Sequence, residues 1–307
     1  MPSARPAALV PAVDPSTIAL AVDIGGTKMA AGLVSGDGRL LARAQAPTVG
    51  GDAEAVFATL AGVVRDVRAA ASGGISAPMV CGVGSGGPMS RDGESVSPVN
   101  IAAWRDFPLR ARLAELTGLP TFVDNDAKAM AVAEGWVGAA AGVPSFLGMV
   151  VSTGVGGGIV LDGRLLDGVD GNAGHIGHIT VEPEGHACGC GAHGCLEAEA
   201  SGTGIARITG RPAAEASDEV VERTGTLVGR AVAAVANLLD LRLAVVAGSV
   251  ALGFGEPFFT AAQREIDARC RLDFSAGTMI RPAGLGADAP LIGAAAIGWR
   301  GFDRSDR

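Results

Sequence analysis

The chain predicts a duplicated α/β fold, two halves around a cleft, each opening on a β-hairpin with a polar, glycine-rich tip. Three observations carry this. Residues 17–34, TIALAVDIGGTKMAAGLV, and 146–161, FLGMVVSTGVGGGIVL, share one pattern of apolar run, polar tip, glycines and apolar run. Each is followed by the same pentapeptide, DGRLL, at 37–41 and 162–166. Strand-like and helix-like segments then alternate, which gives mixed or parallel sheets flanked by helices. Polar residues stand at strand ends (Asp23, Asp126, Ser152 with Thr153, Gly248 with Ser249), where sheets of this kind bind ligands.

In order, the first hairpin turns at Asp37-Gly38 into a third strand. An amphipathic helix is expected over 55–71, a buried strand over 79–85 and a helix over 109–117. A strand over 121–123 ends at Asp124-Asn125-Asp126, and a helix runs on to 137. After the second hairpin come a histidine- and cysteine-rich segment, a long helix over 213–239, a buried strand over 243–247, a helix over 257–271, a short strand over 279–281 and a final apolar helix. Residues 1–17, rich in Pro and Ala, are expected to be a flexible leader without the apolar core of a signal peptide. The expected domains are 18–125, joined by the final helix at 289–301, and 126–288, which contains the metal-ligand segment 174–197.

At 307 residues and 48% hydrophobic, the chain can build two cores. A net charge of −8, with Lys28 and Lys128 the only lysines, argues against nucleic-acid and anionic-membrane partners. No apolar run reaches the roughly 18 residues of a membrane span, so a cytoplasmic protein is expected. Three of the five cysteines have metal-ligand spacing, which suits a reducing compartment.

The segment 171–201 holds all four histidines. His178, Cys188, Cys190 and Cys195 form the donor set of a closed tetrahedral zinc site, structural because four good ligands leave no open position. His186 and His193 read as solvated loop residues, with either an alternative ligand. Asp23-Ile-Gly-Gly-Thr-Lys28 reads as a phosphate loop: Gly25 and Gly26 bare their amides, Thr27 adds a hydroxyl, Lys28 a cation, and Asp23 can hold magnesium. A tight turn needing only glycine is the competing reading. The recurrence at Thr153, Gly154, Gly156 and Gly157 favours a two-sided phosphate clamp. Asp126 can take a proton from an attacking hydroxyl, although an N-cap is the simpler role for a lone aspartate there. Asn100 and Asn125 can both donate to and accept from sugar hydroxyls, although each alone is more often a turn residue.

Together DIGGTK (23–28), GVGSGGP (82–88), PVN (98–100), VDNDA (123–127), STGVGGG (152–158), GHIGH (174–178) and CGCGAHGCLE (188–197) resemble the ROK family of repressors, open-reading-frame products and kinases, over nearly the whole chain after the leader. The resemblance implies the actin-like ATPase (ribonuclease H-like) fold and ATP-dependent phosphorylation of a hexose at the 6-hydroxyl, with magnesium and zinc. Asp126 matches the general base. Gly87, Asn100, Asn125, His175, His178 and Glu197 match sugar contacts, and Gly248 with Ser249 the adenosine-side loop. A homodimer is implied as well. Family glucokinases usually carry Glu where this chain has His175. The GHIGH form looks like bacterial N-acetylmannosamine kinases, which makes N-acetylmannosamine the expected substrate, with glucose and N-acetylglucosamine as alternatives. A transcriptional regulator would need a helix-turn-helix module that the 17 residues before the first strand do not supply. A sugar-binding protein without catalysis is the remaining alternative.

Overall fold

The structure, a computed structural model, describes residues 8–70 and 74–305. The chain begins with β1 (Ile18–Ile24), β2 (Lys28–Ser35), β3 (Leu40–Pro47), α1 (Ala53–Ala70), β4 (Pro78–Ser85), α2 (Leu109–Thr117), β5 (Thr121–Asn125) and α3 (Asp126–Val137). It continues with β6 (Phe146–Val151), β7 (Val155–Leu161), β8 (Arg164–Leu165), α4 (Leu196–Ala200), α5 (Gly202–Thr209), α6 (Asp218–Leu239), β9 (Leu243–Ala247), α7 (Ser249–Phe254), α8 (Glu256–Arg269), β10 (Met279–Pro282) and α9 (Ala289–Ser305).

Two compact units form. The first holds the chain up to Val137, the short stretch Asp167–Ala173 and the chain from Ala287 on; the second holds Gly138–Leu166 and Gly174–Gly286. Each contains one five-stranded sheet, of order β3-β2-β1-β4-β5 in the first and β8-β7-β6-β9-β10 in the second. In both, the hairpin and third strand pair antiparallel and the two later strands join parallel. The sequence echo is therefore a duplicated topology.

In the first unit the core gathers Leu20, Val22, Met29, Leu33, Leu60, Val83 and Leu113, each essentially without exposure. Burial of side chains of this size contributes about 1.5–3 kcal/mol each. Trp104 stacks on Phe107 with ring centroids 4.5 Å apart. α9 packs against β4 at a point where a Cβ on Gly82 would overlap the backbone of Ala294 and Gly298, so glycine is required for the approach. The core of the second unit centres on Leu147, Met149, Val228, Val232, Val246 and Phe258. There α6 lies on α8 through Gly225 and Gly229, against the backbone of Phe258 and Ala262.

Several expectations need correction. The helix expected from residue 213 starts at Asp218: Ala213–Glu215 is a separate 3-10 turn, and Ser217 is extended (φ −72°, ψ 161°). The short helices α4 and α7 start inside the stretches read as the metal segment and the adenosine-side loop, and α5 occupies residues for which no element was expected; it is fixed by Ser201, whose Oγ accepts from the Gly204 amide at 2.9 Å. The domain boundary at 126 falls too early, because α3 packs on α9, with Gly293 against the backbone of Ala129. β8 has two residues where β3 has eight, despite the shared DGRLL, because the chain leaves after Leu166 to join the first unit. Residues 1–7 of the expected leader, and residue 71 at the end of the first helix, lie outside the described residues. From Leu9 on the leader is held: the Leu9 carbonyl accepts from Arg300 Nη1 at 2.6 Å, Val10 is buried, and Asp14 Oδ1 accepts from the Ser16 amide at 2.8 Å. Among the described residues no helix is long and apolar enough to cross a membrane.

Candidate active site

In the first unit the strand register aligns three positions: Asp23 on β1 pairs with Gly84 on β4, and Gly84 with Asp124 on β5. Gly84 keeps this line open. A Cβ there would stand 3.8 Å from Asp23 Oδ1 and 3.6 Å from the Cα of Asp126, so the two carboxylate-bearing residues flank a position without a side chain. Burial pushes the Asp23 carboxyl up to about 7, and repulsion from Asp126 adds to it; Lys28 and Arg43 pull the other way. A carboxyl in this condition would be relieved by a cation, so the site fits magnesium by the chemistry of its donors.

The tip after Asp23 is braced from β3. The Gly25 amide donates to the Lys28 carbonyl at 3.0 Å, Thr48 Oγ1 donates to the Gly25 carbonyl at 2.7 Å, and the Thr48 amide to the Thr27 carbonyl at 3.0 Å. Thr27 and Lys28 are exposed. Gly26 is pressed against Asn100, whose side chain would collide with any Cβ there, so the tip and the PVN loop meet directly. Asn125 Oδ1 accepts from the amides of Ala127 (3.0 Å) and Lys128 (3.3 Å) and so caps α3, leaving its amide nitrogen directed near Gly87. Asp126 is exposed at the first turn of α3, its Oδ1 accepting from the Ala127 amide at 2.8 Å. The capping role weighed for Asp126 thus falls largely to Asn125.

In the second unit the tip is Ser152-Thr153-Gly154, closed by the Ser152 amide on the Gly154 carbonyl at 2.9 Å. Ser152 Oγ lies 2.9 Å from Ser249 Oγ, which joins this tip to the Gly248-Ser249 turn at the start of α7. Glu197, on α4, accepts from the Val155 amide through Oε2 at 2.9 Å, and a Cβ on Gly154 would come within 2.8 Å of the same oxygen. Gly156 and Gly157, read as part of the clamp, belong to β7 opposite Val150 and Met149. Gly157 is required for packing: a Cβ would meet the Gly148 carbonyl at 2.8 Å, Ile176 Cγ2 at 3.0 Å and the Gly174 carbonyl at 3.3 Å. Gly174 and Gly177 press in turn on the Gly157 and Val155 carbonyls, so the backbone of GHIGH lies directly on β7. His175 and His178 are exposed, with ring centroids 6.1 Å apart.

The nitrogen and sulfur donors of His178, Cys188, Cys190 and Cys195 lie within 4.8 Å of one another. Cys190 Sγ is 3.7 Å from Cys195 Sγ, and Cys188 Sγ is 3.7 Å from His178 Nδ1. Tetrahedral zinc with sulfur at about 2.3 Å needs edges of roughly 3.7 Å, so the donor set fits the ion. Burial pushes the Cys195 thiol up to about 12, whereas a hydrogen bond with the Ala192 backbone holds Cys190 below its usual value.

Sequence reasoning missed the support of this loop. Glu199, fully buried, receives the amide of His186, its Nδ1 at 3.0 Å and Arg223 Nη2 at 2.5 Å. Burial works to raise its pKa, but the bonds from Arg223 and His186 outweigh that and hold it low. His186, read as a free loop residue, is thus a brace; nothing in the sequence marks the pair. Lys128 was also overlooked, although its spacing of four from Asp124 announces a helix-start ion pair.

Carboxylates near strand ends in the first unit and a braced glycine tip in each unit suit a nucleotide-dependent transferase, and the relatives of the chain make it an ATP-dependent sugar kinase. The ROK family pattern matches residues 19–300, and the chain belongs to that family. A glucokinase of Halalkalibacterium halodurans is 36% identical, over 91% of this chain and 93% of its own. An N-acetylmannosamine kinase of Escherichia fergusonii is 38% identical, over 77% of this chain and 84% of its own. A ROK hexokinase from Thermus thermophilus matches with a TM-score of 0.82 at 35% identity, covering 94% of this chain and 100% of that one, which establishes the actin-like fold.

Proposed function

We propose that this kinase transfers the γ-phosphoryl group of ATP to the 6-hydroxyl of N-acetylmannosamine. His175 carries the choice of sugar. Its imidazole can donate and accept, so it can serve the carbonyl of a 2-acetamido group, which an ionised carboxylate cannot. The relatives named for N-acetylmannosamine support this reading. Glucose is the second reading, favoured by the longer match to a glucokinase, and N-acetylglucosamine stands behind it.

Asp126 accepts the 6-hydroxyl proton as that oxygen attacks the γ-phosphorus, and ADP leaves. Gly87, Asn100, Asn125, His175 and Glu197 hold the sugar. His178, whose Nδ1 faces the thiols, keeps Nε2 for a hydroxyl. The amides of Gly26 and Gly154, with Thr27, Lys28 and Thr153, cradle the phosphates, while the Gly25 amide, spent on the Lys28 carbonyl, shapes the tip instead, and Gly248 with Ser249 serves the adenosine side. Magnesium held at Asp23 would offset phosphate charge, and zinc on His178, Cys188, Cys190 and Cys195 would fasten the sugar-reading loop. A cytoplasmic homodimer completes the proposal, its assembly open to light scattering.

The test is an ADP-release assay over hexoses and 2-acetamido hexoses, with wild type beside His175→Glu. Wild type is expected to prefer N-acetylmannosamine, and the variant to shift towards glucose. A strong wild-type preference for glucose overturns the substrate assignment.

A further inference from the structure

Lys128 is 2% exposed, and an ammonium taken that far from water persists only when its hydrogens are all matched. They are: Nζ lies 2.8 Å from Asp124 Oδ1, 3.0 Å from Asp167 Oδ1 and 3.1 Å from the Gly171 carbonyl. Three donors meet three acceptors. These acceptors come from two places. Asp124 is the penultimate residue of β5, in register with Gly84 and Asp23, two residues before Asp126. Asp167 and Gly171 belong to the stretch Asp167–Ala173, which joins the first unit although the chain on either side of it belongs to the second. That stretch is closed on itself by the Ala173 amide donating to the Asp167 carbonyl at 3.0 Å, and Asp167 Oδ2 also faces Arg304 on α9 at 3.5 Å. Its last residue, Ala173, precedes Gly174 and His175.

We infer that Lys128 is a positioning residue for the phosphoryl transfer, with two separable arms. The Asp124 arm fixes the strand-to-helix turn that presents Asp126. The Asp167/Gly171 arm anchors the chain immediately before His175. Both arms share one nitrogen, so a single side chain bears on the turn before Asp126 and on the stretch that leads into His175. Burial of the Asp124 carboxyl raises its pKa, and Lys128 is the largest influence opposing that rise. The inference rests on the assignment of Asp126 as base, and the experiment separates the two.

Steady-state kinetics on the full chain, with sugar and MgATP varied in turn, are measured for wild type, Asp126→Asn, Lys128→Met and Asp167→Ala, each with a melting curve. Lys128→Met is expected to lower kcat on the order of 10- to 100-fold, the loss typical of a base misplaced by about 1 Å, while KM for ATP stays within about twofold. Asp167→Ala keeps the Asp124 pair and is expected to raise KM for the sugar about 5- to 10-fold with kcat nearly unchanged, from the weakening of about one hydrogen bond. If Lys128→Met does not fold, the double variant Asp124→Asn/Lys128→Met, which leaves no lone buried charge, takes its place with the same expectation. A Lys128 variant that melts earlier but retains wild-type kcat and sugar KM makes the lysine merely structural and overturns the inference. So does an Asp167→Ala enzyme with unaltered sugar KM. Undiminished turnover by Asp126→Asn overturns the base assignment itself.

Discussion

Asp23→Asn should flatten the pH dependence of stability between pH 6 and 8. The Asp23 carboxyl rises from an ordinary 3.8 to about 7 in the fold, so between those values the folded protein holds a proton that the unfolded chain has released. Stability from this group is therefore fully present below about pH 3.8 and is lost as pH rises towards and through 7. At about 1.36 kcal/mol per unit, the shift amounts to roughly 4 kcal/mol over the whole window. About 1.4 kcal/mol of this falls between pH 6 and 8, a range in which ordinary carboxylates no longer titrate. All three tryptophans, Trp104, Trp136 and Trp299, lie in the first unit with Asp23, so fluorescence-detected urea unfolding reports on that unit. Wild type without nucleotide should lose about 1.4 kcal/mol over those two pH units relative to Asp23→Asn, and the variant should be both less pH-sensitive and inactive. Parallel curves for the two proteins would refute the claim that burial and Asp126 together hold this carboxyl protonated.

Gly26→Ala places a methyl on Asn100 and should raise sugar KM about 5- to 30-fold, the loss of about one to two kcal/mol, with a smaller effect on melting. Gly154→Ala pushes on Glu197 Oε2 and should weaken sugar binding measured by calorimetry by a similar factor. Removing metal with a chelator should release one zinc per chain by elemental analysis and impair sugar binding more than ATP binding; equal losses would mean global unfolding. Glu199→Gln removes the charge that braces His186 and Arg223, and should lower zinc affinity about 10- to 100-fold in competition with a chromophoric chelator.

Much of the architecture was legible because the two periodicities are clean. α2 and β9 fall on the expected residues, and the duplicated hairpins announce a duplicated sheet. What escaped notice depends on long-range contact. Glu199 reads as one more acid in LEAEA until α6 brings Arg223 to it. Gly156 and Gly157 read as phosphate-binding because glycine runs at a hairpin suggest exposed amides; the Gly157 requirement comes instead from the backbone of residues 174–177 lying on it. The return of Asp167–Ala173 to the first unit has no local signal, since the lysine that captures it lies far back in sequence. Sequence shows which side chains are available, but not which of them a returning loop will meet.

The seating of GHIGH on β7 is carried by main chain, by three glycines and by the Ile176 side chain. Residue 175 is consequently carried on a backbone whose close approach to β7 is set by its glycine neighbours. On the proposed reading, a substitution at residue 175 would change sugar preference and leave in place the glycine contacts that seat the loop.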